Sequence, residues 1–487
     1  LPALGARDVR APVPGLHLLR RVAAQGGHLR PVHQAVGREL VVQLRRAAEG
    51  GRRVAVIEKD ELGGTWLNRG WIPTKTLLHA SGLYRRLQEA QAEGLSVSEA
   101  HVDMARLQER RLEVISSLRE GIAVQFQKKG VTLFTGTGRI LEKEKVLVTT
   151  GKEEILLTAP RILIAAGAKT AVPPIPGIDL PGVEDSAGLL ARQEPYDSLI
   201  IIGGGVIGME FASFYSDLGK KVTVLEAMDR ILPGMDREIS QNLKMILKKR
   251  GVDIHTKASV TRVERMEEGG FVCYYEEKGQ AFSASAKGLL AAVGRRADGE
   301  SVWSGQLLGP SGTERGRIPV DENYRTRIPG IYAVGDVTGG IQLAHAATAE
   351  GLLALDHMEG REPSIDRRVI PSCVYTDPEI ACAGLTCEEA KVSGVPVKTA
   401  KYIMSLNGKS VLSGQERGFI RLVAREDNEK IVGAQLMCAR ATDMIGELAL
   451  AISRGITAGE LAGVIHPHPT FGEGIGEAAR LLQQERT

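Results

Sequence analysis

The chain is predicted to be an α/β protein of several domains closed by a C-terminal α+β module. Three observations carry this. First, 487 residues exceed what one hydrophobic core usually supports, and a simple length prior gives about three domains. Second, 57 glycines and 43% apolar content, with long Val/Ile/Leu/Ala runs and few aromatics, suit many tight strand-to-helix turns. Third, residues 199 to 226 spell a complete β-α-β unit, whereas beyond Pro363 the hydrophobic pattern shifts towards alternation.

Taken in order, residues 1 to about 44 are rich in Pro, Arg, His and Gly without a clean period, and read as an atypical start. Within them His28-Leu-Arg-Pro31 makes a poor central strand. From Arg46 the texture changes. Arg53-Val-Ala-Val-Ile57 reads as a buried parallel strand ending in Glu58, and residues 73 to 91 as a helix after a glycine turn. Residues 102 to 129 form an amphipathic helix with Val102, Leu107, Leu112, Ile115, Leu118 and Ile122 at roughly helical spacing. Arg161-Ile-Leu-Ile-Ala-Ala-Gly167 ends a strand before Val172-Pro-Pro-Ile-Pro-Gly177, a domain crossing. Ala291-Ala-Val-Gly294 ends another before a second crossing, and Ile331-Tyr-Ala-Val334 starts a strand and helix. The last part holds strands at 419–423 and 431–436 and helices near 442–454 and 473–484.

The charge balance, 62 basic against 59 acidic residues interspersed along the chain, offers no stripe for a phosphate backbone, so nucleic acid is not an expected partner. Five cysteines cannot staple a chain this long, which points to a reducing compartment. No apolar run approaches the roughly 20 residues of a membrane span. A soluble, cytoplasmic protein with no membrane partner is expected.

The strongest motif is Gly203-Gly-Gly205-Val-Ile-Gly208, directly after a strand and opening a helix. The first glycine permits the turn, the second lets a pyrophosphate approach the backbone, and the third allows close helix-strand packing, while the helix N-terminus attracts phosphate. Glu226 ends the next strand at the offset where a carboxylate receives both ribose hydroxyls, which favours NAD over NADP. Gly335-Asp336 closes a strand with a carboxylate suited to polyol hydroxyls, although capping the next helix is an equally good use of it.

With the Gly-Gly-Thr turn at 63 to 65 and Ala-Ala-Gly at 165 to 167, the order of these motifs resembles the class I pyridine nucleotide-disulfide oxidoreductases, most closely the dihydrolipoamide dehydrogenase type, over roughly residues 46 to 482. The resemblance implies two Rossmann-like FAD- and NAD-binding domains plus a C-terminal α+β dimerisation domain. It divides the chain into 1–168 (FAD-binding, first part, with 1–44 atypical), 169–288 (NAD-binding), 289–363 (FAD-binding or central, second part) and 364–487 (dimerisation). For FAD it implies Glu58, Gly64, Thr65, Lys75, Gly138, Ala166, Gly167, Asp336, Leu343, Ala344 and His345. For NAD it implies Gly203, Gly205, Val206, Ile207, Gly208, Glu210, Glu226 and Gly294, with Lys75 and Glu210 as partners.

The family carries a redox-active cysteine at each of two positions that here are Trp66 and Trp71. An indole offers neither thiolate nor disulfide chemistry. Cys382-Ala-Gly-Leu-Thr-Cys387 has the missing spacing but falls where the family has ordinary strand and turn residues, and reads as packing. In His466-Pro-His468-Pro-Thr-Phe-Gly-Glu473, the resemblance makes His468 the proton-exchanging base and Glu473 its orienting carboxylate, with a cis His468-Pro469 bond aiming the imidazole and His466 structural. The family's first Gly-x-Gly-x-x-Gly turn is replaced by Ala35-Val-Gly-Arg-Glu-Leu40, where only Gly37 fits and Arg38 or Glu39 would crowd a pyrophosphate.

The expectation is therefore a homodimeric FAD-dependent NADH oxidoreductase. Hydride moves between NAD and flavin, and the dithiol half-reaction is lost. The implied partners are NADH, a small-molecule or lipoyl-type substrate and a 2-oxo acid dehydrogenase complex. The alternative is a non-catalytic dimeric family member serving as scaffold or regulatory subunit.

Overall fold

The structure is a computed structural model that describes residues 32–34, 47, 50–303, 316–363 and 365–484. It contains two similar halves and a third module. The first half is a five-stranded parallel sheet ordered Ile331–Ala333, Ile162–Ile164, Val32–Gln34, Ala55–Glu58 and Thr132–Thr135. The second is a five-stranded parallel sheet ordered Val252–Thr256, Lys221–Glu226, Ser198–Ile202, Gly288–Ala291 and Val183–Glu184. Each half adds a three-stranded antiparallel meander, at residues 137–158 and 258–286.

Parallel strands covered on both faces must be apolar throughout. Ala55–Glu58 is accordingly buried at every position, and so are Leu199 to Ile202. The third module is one antiparallel sheet ordered Ser372–Val374, Ile380–Gly384, Ile431–Met437, Phe419–Arg425 and Val397–Ile403, packed against the helices Ala441–Arg454 and Glu473–Gln484. This is the architecture expected from the switch between buried runs and alternating ones.

Three expectations need correction. The central strand thought to be missing from the first 44 residues is present as Val32–Gln34, parallel to both Ala55–Glu58 and Ile162–Ile164. A three-residue strand is too short to show a period, which is why composition hid it. The division between residues 288 and 289 cuts the strand Gly288–Ala291, which belongs to the second sheet beside Leu199 to Ile202, so the boundary moves to the crossing read after Gly294. The chain returns at Arg295–Ala297, which pairs antiparallel with the outgoing strand Ala168–Thr170.

The third correction concerns the helix Met104–Lys128, where Leu112 is exposed while Arg111 is buried with its guanidinium donating to Gln108 Oε1 at 2.6 Å. At about 100° per residue, the stripe of Met104, Leu107, Gln108, Arg111, Ile115, Ile122 and Phe126 runs past residue 111 and leaves 112 at its edge. No helix among the described residues is long and apolar enough to cross a membrane.

Candidate active site

Residues at the carboxyl ends of the first sheet's strands line one cleft and those at the carboxyl ends of the second sheet's strands line another. In the second half, Gly203 has φ 110°, and a Cβ there would strike the carbonyl of Ala292; a Cβ on Gly208 would collide with the carbonyl of Gly203. Gly205 meets nothing within 4 Å, so the turn presents open backbone where a pyrophosphate would approach. Glu226 is 7% exposed and each of its oxygens is taken: Oε2 accepts the Gly204 amide at 2.5 Å and Oε1 the Met228 amide at 2.6 Å. The cleft above contains about 640 Å³ of space and is walled by Gly203, Gly205, Val206, Ile207, Glu226 and Gly294 among others. Arg230 and Arg237, the first two cations after Glu226 in sequence, are both paired with Glu388.

The first half is built alike as far as the described residues show. Glu58 is 4% exposed, and Oε1 accepts the Asp60 amide at 2.9 Å, matching the contact between Met228 and Glu226. Its Oε2 is buried without a partner among the described residues, and burial raises the carboxyl to about 7. An orphaned buried oxygen at the end of a parallel strand suits a ligand hydroxyl, so the residues present fit the ribose of FAD. The 35–40 turn lies outside the described residues.

The first cleft has about 180 Å³ of space, lined by Thr65, Trp66, Trp71, Ala166, Gly167, Arg295, Asp336 and Ala344 among others. Burial raises the Asp336 carboxyl, partly offset by Arg295, whose Nε lies 3.9 Å from Oδ2. Gly64 adjoins this wall in the short helix Gly64–Asn68, and Leu343 lies in the wall of the second cleft. Gly138 is not brought to either wall: it pairs with Val148 in the first meander, and Gly136 is the glycine whose amide meets the Glu58 carbonyl at 2.9 Å.

Trp71, Val206, Ile207 and Arg295 line both clefts, so the two spaces share a wall. Trp71 packs at 6.0 Å, centroid to centroid, against His345, whose Nε2 is bonded to the Pro371 carbonyl at 2.7 Å. Lys75 Nζ donates to both Glu210 oxygens at 2.8 and 2.7 Å, as the paired expectation required. Trp66 packs into the core of the first half with Nε1 buried and without a partner among the described residues.

All five cysteines are free. Cys382 is packed against core with its thiol pushed well up by burial, and Cys373, in the second cleft wall, is raised to about 11 for the same reason. Neither is a ready thiolate.

His468 Nδ1 meets Glu473 Oε1 at 2.9 Å, and Glu473 Oε2 accepts the Thr470 amide at 2.8 Å; that amide, then His468, holds the carboxyl below its usual range. The His468-Pro469 bond is cis, as expected. His468 is 77% exposed and lines neither cleft of its own chain. Sequence reading missed Arg295 and Tyr375. A charged residue directly after Gly294 was a usable signal for the first; Tyr375 gave none.

A family model described as pyridine nucleotide-disulphide oxidoreductase matches residues 37–351, and that family's dimerisation domain matches 370–479. The chain belongs to this family. Among curated relatives, dihydrolipoyl dehydrogenase of Bacillus subtilis (strain 168) is 38% identical over 447 residues, covering 89% of this chain and 94% of the relative. Dihydrolipoyl dehydrogenase of Geobacillus stearothermophilus is 36% identical over 442 residues, covering 90% and 92%. Among solved structures, the Cu(II) complex of the HOCl-induced flavoprotein disulfide reductase RclA from Escherichia coli superposes with TM-score 0.83 at 30% identity, over 93% of this chain and 99% of that one. Family membership makes the protein an NAD-linked flavin oxidoreductase by class, with a dimerisation domain of the family's kind.

Proposed function

We propose that the protein is a homodimeric FAD-dependent NADH oxidoreductase that keeps hydride transfer and has lost the dithiol half-reaction of its dihydrolipoyl dehydrogenase relatives. The observation that carries this is the shared wall of the two clefts at Trp71, Val206, Ile207 and Arg295, which lets ligands of the two halves meet. FAD bound in the first cleft would supply a two-electron acceptor for hydride from NADH.

The chain's own residues do the rest. Glu226 receives the ribose hydroxyls of NAD and repels a 2′-phosphate, Glu58 and Asp336 receive hydroxyls on the FAD side, and Lys75 is held by Glu210 at the junction. Neither Trp66 nor Trp71 can form the disulfide that a dihydrolipoyl thiolate attacks, and the Cys373 thiol at the wall is too basic to substitute. His468 and Glu473 are then a base without a dithiol to serve. The exposure of His468, beside the bare Ile465 and beside Leu406, whose neighbour Asn407 donates to the Thr470 carbonyl at 3.0 Å, supports delivery of this loop to the partner subunit.

Anaerobic mixing tests the reading. NADH bleaches the bound flavin, whereas dihydrolipoamide leaves it yellow; rapid bleaching by dihydrolipoamide refutes the proposal. A second reading, a flavin-free scaffold or regulatory subunit of a 2-oxo acid dehydrogenase complex, is favoured by one observation, the 180 Å³ of the first cleft against 640 Å³ of the second. Absence of protein-bound flavin absorbance after saturation with FAD and removal of the unbound cofactor by gel filtration selects it.

A further inference from the structure

The Glu210 carboxylate is where all three parts of the chain meet. Lys75 reaches it from the helix Trp71–Glu89 of the first half, Glu210 stands on the helix Val206–Asp217 of the second, and Tyr375 follows the strand Ser372–Val374 of the third module. Oε1, already accepting from Lys75, also accepts the main-chain N–H of Tyr375 at 3.1 Å. Tyr375 makes a second contact through its ring, whose centroid lies 4.6 Å from Lys75 Nζ; the Trp71 centroid is 5.5 Å from the same atom. The ammonium is thus gripped by one buried carboxylate and bordered by two aromatic rings.

Lysine carries three donors on a flexible stem, and the direction of the one left over after Glu210 is set by whatever confines Nζ. Any residue except proline would supply the main-chain N–H at position 375, so the ring is the part that distinguishes tyrosine here. Burial pushes the phenol up to about 12, so it stays neutral and acts on the ammonium through its ring face.

We propose that Tyr375 is a positioning residue for Lys75, through which the third module sets the orientation of the ammonium at the junction of the two clefts. A tyrosine that merely filled space would be replaceable by any apolar residue of similar size without consequence for Lys75. The significance for catalysis rests on the hydride-transfer reading above; the geometric claim does not.

The test compares Tyr375→Leu and Tyr375→Met, which fill the space without a ring, with Tyr375→Phe, which keeps the ring. The first readout needs no cofactor: the rate of Lys75 acetylation by acetic anhydride, followed by peptide mass spectrometry from pH 7 to 10, in proteins matched by circular dichroism. Leu and Met variants label at least about threefold faster than the parent, and the Phe variant returns to the parent rate. Equal labelling in all four proteins overturns the proposal, and so does fast labelling in the Phe variant. The second readout is flavin bleaching by NADH together with the visible flavin band; Leu and Met slow the first and shift the second, and Phe restores both. If labelling follows the ring but NADH bleaches none of the proteins, the positioning role stands and the hydride-transfer reading falls.

Discussion

The two nucleotide halves repeat one design, and among the described residues they differ in how the strand-ending glutamate is held. Both end a buried strand in a glutamate and both use one glutamate oxygen to hold the amide two residues on, from Glu58 to Asp60 and from Glu226 to Met228. The other oxygen separates them. In the second half it accepts the Gly204 amide from the glycine turn; in the first it is buried with no described partner. A carboxylate with one backbone N–H on each oxygen is oriented and still has a lone pair on each for a ligand hydroxyl, whereas one with a bare buried oxygen is held towards its neutral form. The cleft volumes run the same way, since two indoles stand in the wall of the first and only one in that of the second.

The largest effect that would narrow this difference is restoration of the thiols. Trp66→Cys combined with Trp71→Cys removes both indoles from the first cleft, and dihydrolipoamide then bleaches the flavin at least about a hundredfold faster than in the parent. Stopped-flow absorbance checks it; no acceleration in a flavin-loaded double variant would place a further defect beyond the two tryptophan positions, in the proton relay of His468 and Glu473.

Glu58 provides the next largest effect, through pH. Its folded-state value of about 7 lies above the ordinary 4.5, so folded and unfolded chains are alike below 4.5, and the cost of ionising the buried group accumulates between 4.5 and 7 and is constant above that. Over that window the apoprotein loses about 3 kcal/mol from this group. Urea midpoints at pH 5 and pH 8 should show the loss in the parent and its absence in Glu58→Gln. Donors from a ribose favour the charged form, so FAD affinity rises over the same interval.

The smallest effect lies in the second half. Glu226→Ala weakens NADH binding about tenfold, roughly 1.4 kcal/mol, and narrows the preference over NADPH. Equilibrium titration with both nucleotides measures this, and equal affinities in the parent would remove the assigned role of Glu226.

What could be read from sequence follows the distance over which each feature is encoded. Gly203 to Glu226 lie within one β-α-β unit, and their geometry agrees with the roles assigned to the three glycines. The strand Val32–Gln34 escaped because three residues carry no period and its partners lie far along the chain. Leu112 was assigned to the core from spacing alone, and the adjacent Arg111 took the place by pairing with Gln108. The convergence on Glu210 was half legible: Lys75 came with the family pattern, while Tyr375, 165 residues from Glu210, is joined to it only by folding.

The paired crossing of Ala168–Thr170 with Arg295–Ala297 has an architectural consequence. Thr170 and Arg295 face each other across an antiparallel ladder, so their Cα atoms are about 5 Å apart although 124 residues lie between them in the chain. Residues 171–294 therefore leave and rejoin the molecule at one point, like a loop tied at its neck. A change in the length of that segment is thereby uncoupled from the host strands that flank it, Ile162–Ile164 and Ile331–Ala333, while the ties of Glu210 to Lys75 and Tyr375 are what an exchanged unit would have to keep.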